Sequence, residues 1–428
     1  MVKKNMFKNP SLYIILIGII ARFAWIFYMN TYPETDFMWY HVKGVELKDG
    51  LGFLNGIYPF YTGKIGMPTA FRPIGYPLCL AILYKLFGTS FWVGKIFNIF
   101  LSTITMIYIY KLAKMFFSET ISNVALCLFA FSPLAICYTS ILGSETLFQT
   151  LLILILYSYF AHNSPYILGL LVGCLALVRP IGIFFGLIFV AFLFIQRKLF
   201  TRDGLKFVML FCATFLVVIS GWLVRNYIHF GEFIYSTNGG YVLYVNNNPN
   251  ATGSWSDPFS YPDSPFKQYL YKDSFDEIAI NKVGKKLAID FIINNPKDFI
   301  NLAFKRMSNS YWNKLDDIMW AFTTGLNQWD SRYVDAIRLE TNIYRVFYII
   351  TFIYIIYAIY DLTKPRKSLI HTLILLVFLY FNAMMFILEG NSRYVFPLHP
   401  IYSIGVSFVL CNVFLPFAQK TKEKAPLS

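Results

Sequence analysis

The sequence predicts an all-α polytopic membrane protein: about ten transmembrane helices, outer-surface juxtamembrane helices and a large outer loop region. Three observations predict it. Hydrophobic residues make up 57% of the chain and charged residues only 14%, where a soluble domain carries roughly 25% charged. Apolar runs long enough to cross a bilayer, or nearly so, recur from end to end. Lys and Arg collect in alternate connections between those runs, as they do on the cytoplasmic side of membrane proteins.

The runs fall at about 11–29, 91–112, 120–139, 144–161, 165–178, 180–196, 206–224, 343–361, 368–388 and 396–416. The first follows "MVKKNMFKNP" and is too long for the apolar part of a signal peptide, so it reads as a span. The pair 165–178 and 180–196 is short and reads as a helical hairpin around Arg179-Pro180. The segment 73–88, "PIGYPLCLAILYKLFG", is ambiguous by hydropathy alone. Charge decides it. With an inside N-terminus and 73–88 lying along the outer surface, the inside connections hold fifteen Lys and Arg against four acids. If 73–88 spanned, Lys111 and Lys114 would move outside and every later loop would flip. Both termini are therefore expected in the cytoplasm. The net charge of +14 is a topology signal rather than a nucleic-acid footprint, and no nucleic-acid partner is expected.

Three units follow: residues 1–225 as an N-terminal transmembrane module whose outer loop is 30–90, residues 226–341 as an outer loop region, and residues 342–428 as C-terminal membrane helices. Within the second, 275–313 has helical periodicity broken at Asn295-Pro296, which predicts two amphipathic helices. The stretch 231–262, rich in Gly, Asn, Pro and Ser, predicts loop and turn. The six cysteines lie in apolar runs, match no zinc spacing and predict no disulfide framework. His41 and His399 show no metal-ligand spacing either.

This topology gathers Asp36, Arg72, Glu145, Arg179, Arg225, Glu389 and Arg393 on one membrane face. Charges beside hydrocarbon are costly and usually paired or functional. Acids and cations mixed at an interface suit an anionic lipid headgroup together with a reactive carboxylate. Each residue also has a structural explanation. Asp36 fits a helix N-cap before "FMWYHV". Arg72 fits a snorkelling side chain. Glu145 fits the first turn of a span. Arg179 and Arg225 fit interfacial anchors, and Glu389 and Arg393, four apart, fit a local ion pair.

Several stretches in order resemble the GT-C superfamily of polyprenyl-phosphate-dependent glycosyltransferases, near the protein mannosyltransferases and the lipid A aminoarabinose transferases (glycosyltransferase family 39-like). They are "ETDFMWYHVKGVELKDGLGF" (34–53), "FRPIGYPLCLAILYKLFG" (71–88), "YTSILGSETLF" (138–148), "ALVRPIGI" (176–183), "GWLVRNYIHFGEFIYSTNGGYVLYVNNNPNATGSW" (221–255), "FIINNPKDFINLAFKRMSNSYW" (291–312) and "SRYVFPLHP" (392–400). The resemblance implies inverting sugar transfer at the outer face of a plasma (inner) membrane. It implies a polyprenyl-phosphate sugar donor, a lipid, glycolipid or protein acceptor, and surrounding membrane lipids as partners. It makes Asp36 the base and Arg393, Arg72 and Arg179 the contacts to donor phosphate. Glu34, Trp39, Tyr40, Tyr76, Glu145, Arg225 and Tyr394 become candidate substrate contacts. No cofactor is certain; a divalent metal stays open, with Glu145 the acid that could ligate it.

Two other classes compete. A flippase or transporter of lipid-linked sugars predicts polar residues near the bilayer midplane and internal repeats, and the chain shows its charges at one face instead. An O-antigen ligase or polymerase predicts paired Arg and a His in the large outer loop; here the matching motif is an Asp in the first loop.

Overall fold

A computed structural model describes residues 10–29, 31–55, 67–271, 274–313 and 331–415 of this chain. The helices run α1 (Pro10–Tyr28), α2 (Thr35–Lys48), α3 (Gly75–Phe87), α4 (Phe91–Phe116), α5 (Glu119–Ala130), α6 (Pro133–Cys137), α7 (Glu145–Ala161), α8 (Pro165–Val178), α9 (Leu187–Ile195) and α10 (Arg202–Phe230). Then come α11 (Gly239–Asn246), α12 (Glu277–Asn294), α13 (Pro296–Ser308), α14 (Ser331–Leu362), α15 (Leu369–Ile387) and a last helical run, α16 (Ser392–Phe414). Two antiparallel ladders of two residues each accompany them: Leu54–Asn55 with Met67–Pro68, and Leu270–Tyr271 with Ser274–Phe275.

The boundaries are written in cap chemistry. Ser90, Ser118, Ser132, Ser164 and Thr201 each accept a backbone N–H at the start of α4, α5, α6, α8 and α10, satisfying donors that a first turn leaves open. Pro133 and Pro165 sit where their missing N–H does no harm. Gly231 closes α10 in the left-handed region at φ 70°. Asp276 caps α12, and Asn295-Pro296 separates α12 from α13 as the sequence predicts.

Six helices are long and apolar enough to cross a membrane, and a seventh span arises if the bent pair 119–130 and 133–140 is one crossing. The remaining predicted spans are present as apolar helices of 10–17 residues: Glu145–Ala161, Pro165–Val178 and Pro180–Ile195. At 1.5 Å per residue such helices fall short of a hydrocarbon core of about 30 Å. The ten expected segments are thus all helical, but length alone certifies only six or seven as crossings. The segment 73–88 forms α3, which packs along α2.

One buried cation explains the bend after α5. Arg22, wholly buried on α1, donates to Ser102 Oγ at 2.7 Å, to the Ala130 carbonyl at 2.8 Å and to its own helix at Gly18 O, 2.9 Å. It fills the carbonyl-rich end of α5 where Ser132-Pro133 turns the chain by 55°. The turned piece carries the chain through Tyr138–Ser140 to Ser144 and Glu145. The main core is one apolar cluster, and a smaller one of Tyr241, Val245, Phe266 and Ile280 joins α11 to α12. Among the described residues no disulfide links any of the six cysteines.

Candidate active site

Five ionised side chains form one chain of contacts: Arg72, Asp36, Arg393, Glu145 and Arg179. Arg72 Nη2 meets Asp36 Oδ1 at 2.7 Å, and Arg393 Nη1 meets Asp36 Oδ2 at 2.9 Å. Arg393 Nε donates to Glu145 Oε1, and Arg179 Nη1 stands 2.9 Å from the same oxygen. The residues come from α2, the turn before α3, the start of α7, the end of α8 and the start of α16. Asp36 and Arg393 are 357 positions apart. Glu145 is fully buried, while the Asp36 side chain keeps 15% of its surface exposed.

Local backbone explains the approach. Asp36 stands in the first turn of α2 and the cap position belongs to Glu34, which corrects the N-cap reading of Asp36. The preceding Thr35 is held at φ 43°, an uncommon conformation for a β-branched residue. Gly143 lies where a Cβ would stand 2.3 Å from Glu145 Oε2, so a side chain there would push the carboxylate away. Gly75 permits a second close approach: a Cβ would stand 2.6 Å from the Leu177 carbonyl, so α3 can lie against the end of α8, which carries Arg179.

An aromatic wall surrounds the charges. The Arg72 guanidinium lies 5.9 Å from the Trp39 ring centre and 5.6 Å from that of Tyr40, and it donates to Tyr40 OH at 3.4 Å. Tyr40 OH also meets Ser144 Oγ at 3.1 Å, and its ring stands edge-on to Tyr76. Arg393 lies over Phe37 and Arg179 over Tyr394. Tyr394 donates to Glu389 Oε2 at 3.0 Å. Glu389 therefore serves Tyr394 while Arg393 reaches Asp36 and Glu145, and the expected Glu389–Arg393 pair is not what forms. Glu34 contributes its carbonyl to the turn of α2 and makes no side-chain cap. Arg225 reaches the carbonyls of Thr69 at 2.7 Å and Phe53 at 2.6 Å, outside the five-residue chain. His41 meets Tyr84 OH at 2.8 Å and His399 meets Tyr348 OH at 2.9 Å.

Three cations face two anions, so the cluster is short of negative charge. Burial alone would raise the Asp36 carboxyl, but the charges of Arg72 and then Arg393 outweigh it and hold the group down at about 2. Among the described residues Arg393 Nη2 and Tyr76 OH are buried with no hydrogen-bond partner, and so is Glu145 Oε2. Unmade buried donors beside a cationic cluster fit an anion with several oxygens. They fit a divalent metal poorly: both Asp36 oxygens and Glu145 Oε1 already face guanidinium groups, and among the described residues no three His, Cys, Asp or Glu converge. Sequence reasoning singled out as site residues neither Phe37, Lys43 and Glu46, which lie in the stretch 34–53, nor Ser144 in 138–148, nor Glu277. Lys43 and Glu46 form a buried pair at 2.8 Å, three positions apart on α2, and that spacing is the one signal that could have found them.

Residues 71–224, just over a third of the chain, match the family described as dolichyl-phosphate-mannose-protein mannosyltransferase. Among curated proteins no match is found. Of solved structures, the apo oligosaccharyltransferase of Archaeoglobus fulgidus is similar in fold, with a TM-score of 0.57 at 14% identity, over 98% of this chain and 53% of that one. The same enzyme in complex with Zn and sulfate gives 0.55 at 15% identity, over 97% and 51%. ArnT from Cupriavidus metallidurans bound to undecaprenyl phosphate gives 0.46 at 12% identity, over 96% and 80%. This chain spans about half the length of the oligosaccharyltransferase it matches. In fold the chain is thus similar to a polytopic oligosaccharyltransferase, and across residues 71–224 it matches the mannosyltransferase family.

Proposed function

We propose that this protein is an inverting glycosyltransferase that moves a sugar from a polyprenyl-phosphate carrier to a hydroxyl of a lipid, glycolipid or protein acceptor. The observation that carries the reading is Asp36, held between Arg72 and Arg393 where α2 meets the start of α16. The fold similarity extends to the Archaeoglobus oligosaccharyltransferase AglB in complex with an inhibitory peptide and a dolichol-phosphate, TM-score 0.52, and it supports a lipid-phosphate donor and a separate acceptor here. The active cluster is assigned to the outer face and both termini to the cytoplasm, on the basic connections. Residues 1–225 serve as the catalytic membrane module, 226–341 as the outer loop region and 342–428 as the closing helices.

The acceptor hydroxyl oxygen attacks the anomeric carbon, the bond from that carbon to the phosphate oxygen breaks, and the hydroxyl proton passes to Asp36. The carrier phosphate leaves with the bonding pair and stays on Arg393, Arg72 and Arg179, whose guanidinium N–H groups match its oxygens. The same arginines neutralise Asp36 beforehand. When a phosphate takes their charge, the carboxylate loses its counter-ions and becomes a better base, so the donor itself prepares the reaction. Trp39, Tyr40, Tyr76 and Tyr394 form walls for sugar and prenyl chain.

The test is turnover of a polyprenyl-phosphate sugar by purified protein. Asp36→Asn is expected to lower kcat by about 10²–10⁴-fold with the donor KM little changed. Equal turnover removes the base assignment.

A further inference from the structure

The three residues that precede Arg72 are held from every side. Thr69 O accepts from Arg225 of α10 at 2.7 Å, and Thr69 Oγ1 donates to Glu277 Oε1 of α12 at 2.6 Å. Ala70 N donates to Glu277 Oε2 at 3.3 Å, and Ala70 O accepts from Thr237 N at 2.8 Å. Phe71 N donates to Thr69 Oγ1 at 3.1 Å, and Phe71 O accepts from Ser236 Oγ at 2.9 Å. Thr237 Oγ1 also donates to Glu277 Oε2 at 2.7 Å. Every backbone group named here belongs to extended or bent chain rather than to a helix. Without these partners nothing regular would fix it. Thr69, Thr237 and Glu277 are all buried.

This bracket joins three parts of the chain. Arg225 comes from a membrane helix, Glu277 opens the first long helix of the outer loop region, and the held segment ends one residue before the cation on Asp36 Oδ1. A buried carboxylate given three donors is an anchor with little freedom. We infer that Glu277 and Arg225 are positioning residues that fix the Thr69–Phe71 segment and thereby set Arg72 against Asp36, so that the outer loop region governs the geometry of the cluster. The inference deepens the proposed function and rests on it only for its catalytic consequence. The placement of Arg72 itself is a structural matter.

The experiment uses the full-length protein in detergent and the pair Thr69→Val and Thr69→Ser. Valine keeps the shape and removes the hydroxyl; serine keeps the hydroxyl. Thr69→Val is expected to speed amide exchange across residues 69–72, with Thr69→Ser close to wild type. Thermal stability is then read in a double-mutant cycle with Arg72→Gln. If the bracket holds Arg72, the loss from Thr69→Val is smaller in the Arg72→Gln background than in wild type. Undecaprenyl phosphate serves as the probe of the site: Thr69→Val and Glu277→Ala are expected to weaken its binding by about tenfold to a hundredfold, and neither to weaken it further once Arg72 is Gln. Unchanged exchange, or losses that add in the cycle, would overturn the inference. Exchange and stability that couple as expected, in a wild-type protein that ignores undecaprenyl phosphate, would uphold the bracket and sink the lipid-phosphate reading instead.

Discussion

With a guanidinium on each oxygen, the Asp36 carboxylate is a weak base at rest and an ionised group at every ordinary pH. Its folded-state value near 2 lies below the ordinary 3.8. A group depressed in this way adds stability above about pH 4, and that stability is lost as pH falls from about 4 through about 2. Acid unfolding of wild type should steepen in that window, and the Asp36→Asn variant should lack the extra slope. Under the proposed mechanism, kcat/KM with a lipid-phosphate sugar should show no Asp36 limb above about pH 3, because it reports free enzyme. The kcat profile should carry its acid limb at higher pH, because bound phosphate has drawn the arginines away. A shared limb in both profiles would count against that exchange. For Arg393, Arg393→Ala takes one of two guanidinium partners from both Asp36 and Glu145, which keep Arg72 and Arg179, so the loss should fall short of the roughly 3–5 kcal/mol of a fully stranded buried charge. Arg393→Lys keeps charge and loses the fork. The expected outcome is a fold-stable Lys variant with a raised donor KM, read by thermal melting beside kinetics.

At the scale of elements, the cluster depends on where helices stop. α7 opens at Glu145, α8 ends just before Arg179 and α16 opens with Arg393 in its first turn, so termini of three helices deliver three of the five charges. Gly75 lets α3 touch α8, with the Leu177 carbonyl 2.6 Å from where a Cβ would stand. Backbone on both sides cannot yield cheaply, so Gly75→Ala should lower the melting temperature and activity together; a variant that melts like wild type would show that the contact is dispensable. Arg22 is the counterpart inside the membrane. Its bonds to Ser102 and to the Ala130 carbonyl sit at the 55° bend. Leucine would leave those groups unanswered, at about 1–3 kcal/mol for each buried polar group. Arg22→Leu is therefore expected to melt several degrees earlier in detergent, without a change in donor KM among the molecules that remain folded. These helices were readable from sequence because the Asn-Pro break and the apolar runs are local signals, although the bend at Ser132-Pro133 inside the run 120–139 was not read. How far the shorter ones reach across the bilayer was not, since that depends on how neighbours stack.

At the scale of the whole molecule, apolar side chains line the outside as well as the core: Leu216 and Val217 on α10 are 55% and 73% exposed, as a lipid-facing helix requires. Helices α12 and α13 are bound to the rest of the molecule by Glu277 on the segment before Arg72 and by Arg306. Arg306, buried on α13, donates to the Asn246 carbonyl at 2.9 Å and to that of Ile387 at 3.1 Å. Two helix ends thus meet on one guanidinium, and Glu389 follows two residues after Ile387. The proposed orientation has a direct check. A cysteine placed at position 72 should react with a membrane-impermeant thiol reagent from outside in intact cells, and one at position 366 should not; labelling of 366 alone would invert the topology and remove the outer-face assignment.

The amino-acid sequence by itself determined the membrane class, the order and approximate ends of the helices, and the pool of charged residues from which the cluster is drawn. Each of these follows from local composition: hydrocarbon excludes charge, and proline ends helices. Tertiary structure alone decided the partnerships. Arg393 went to Asp36 and Glu145 rather than to Glu389 four residues away. Arg225 went to backbone carbonyls, and the unheralded Glu277 became an anchor. An ion pair depends on a few ångströms of separation and on exclusion of water, and contacts closed over more than 350 residues of chain leave no periodic trace along it.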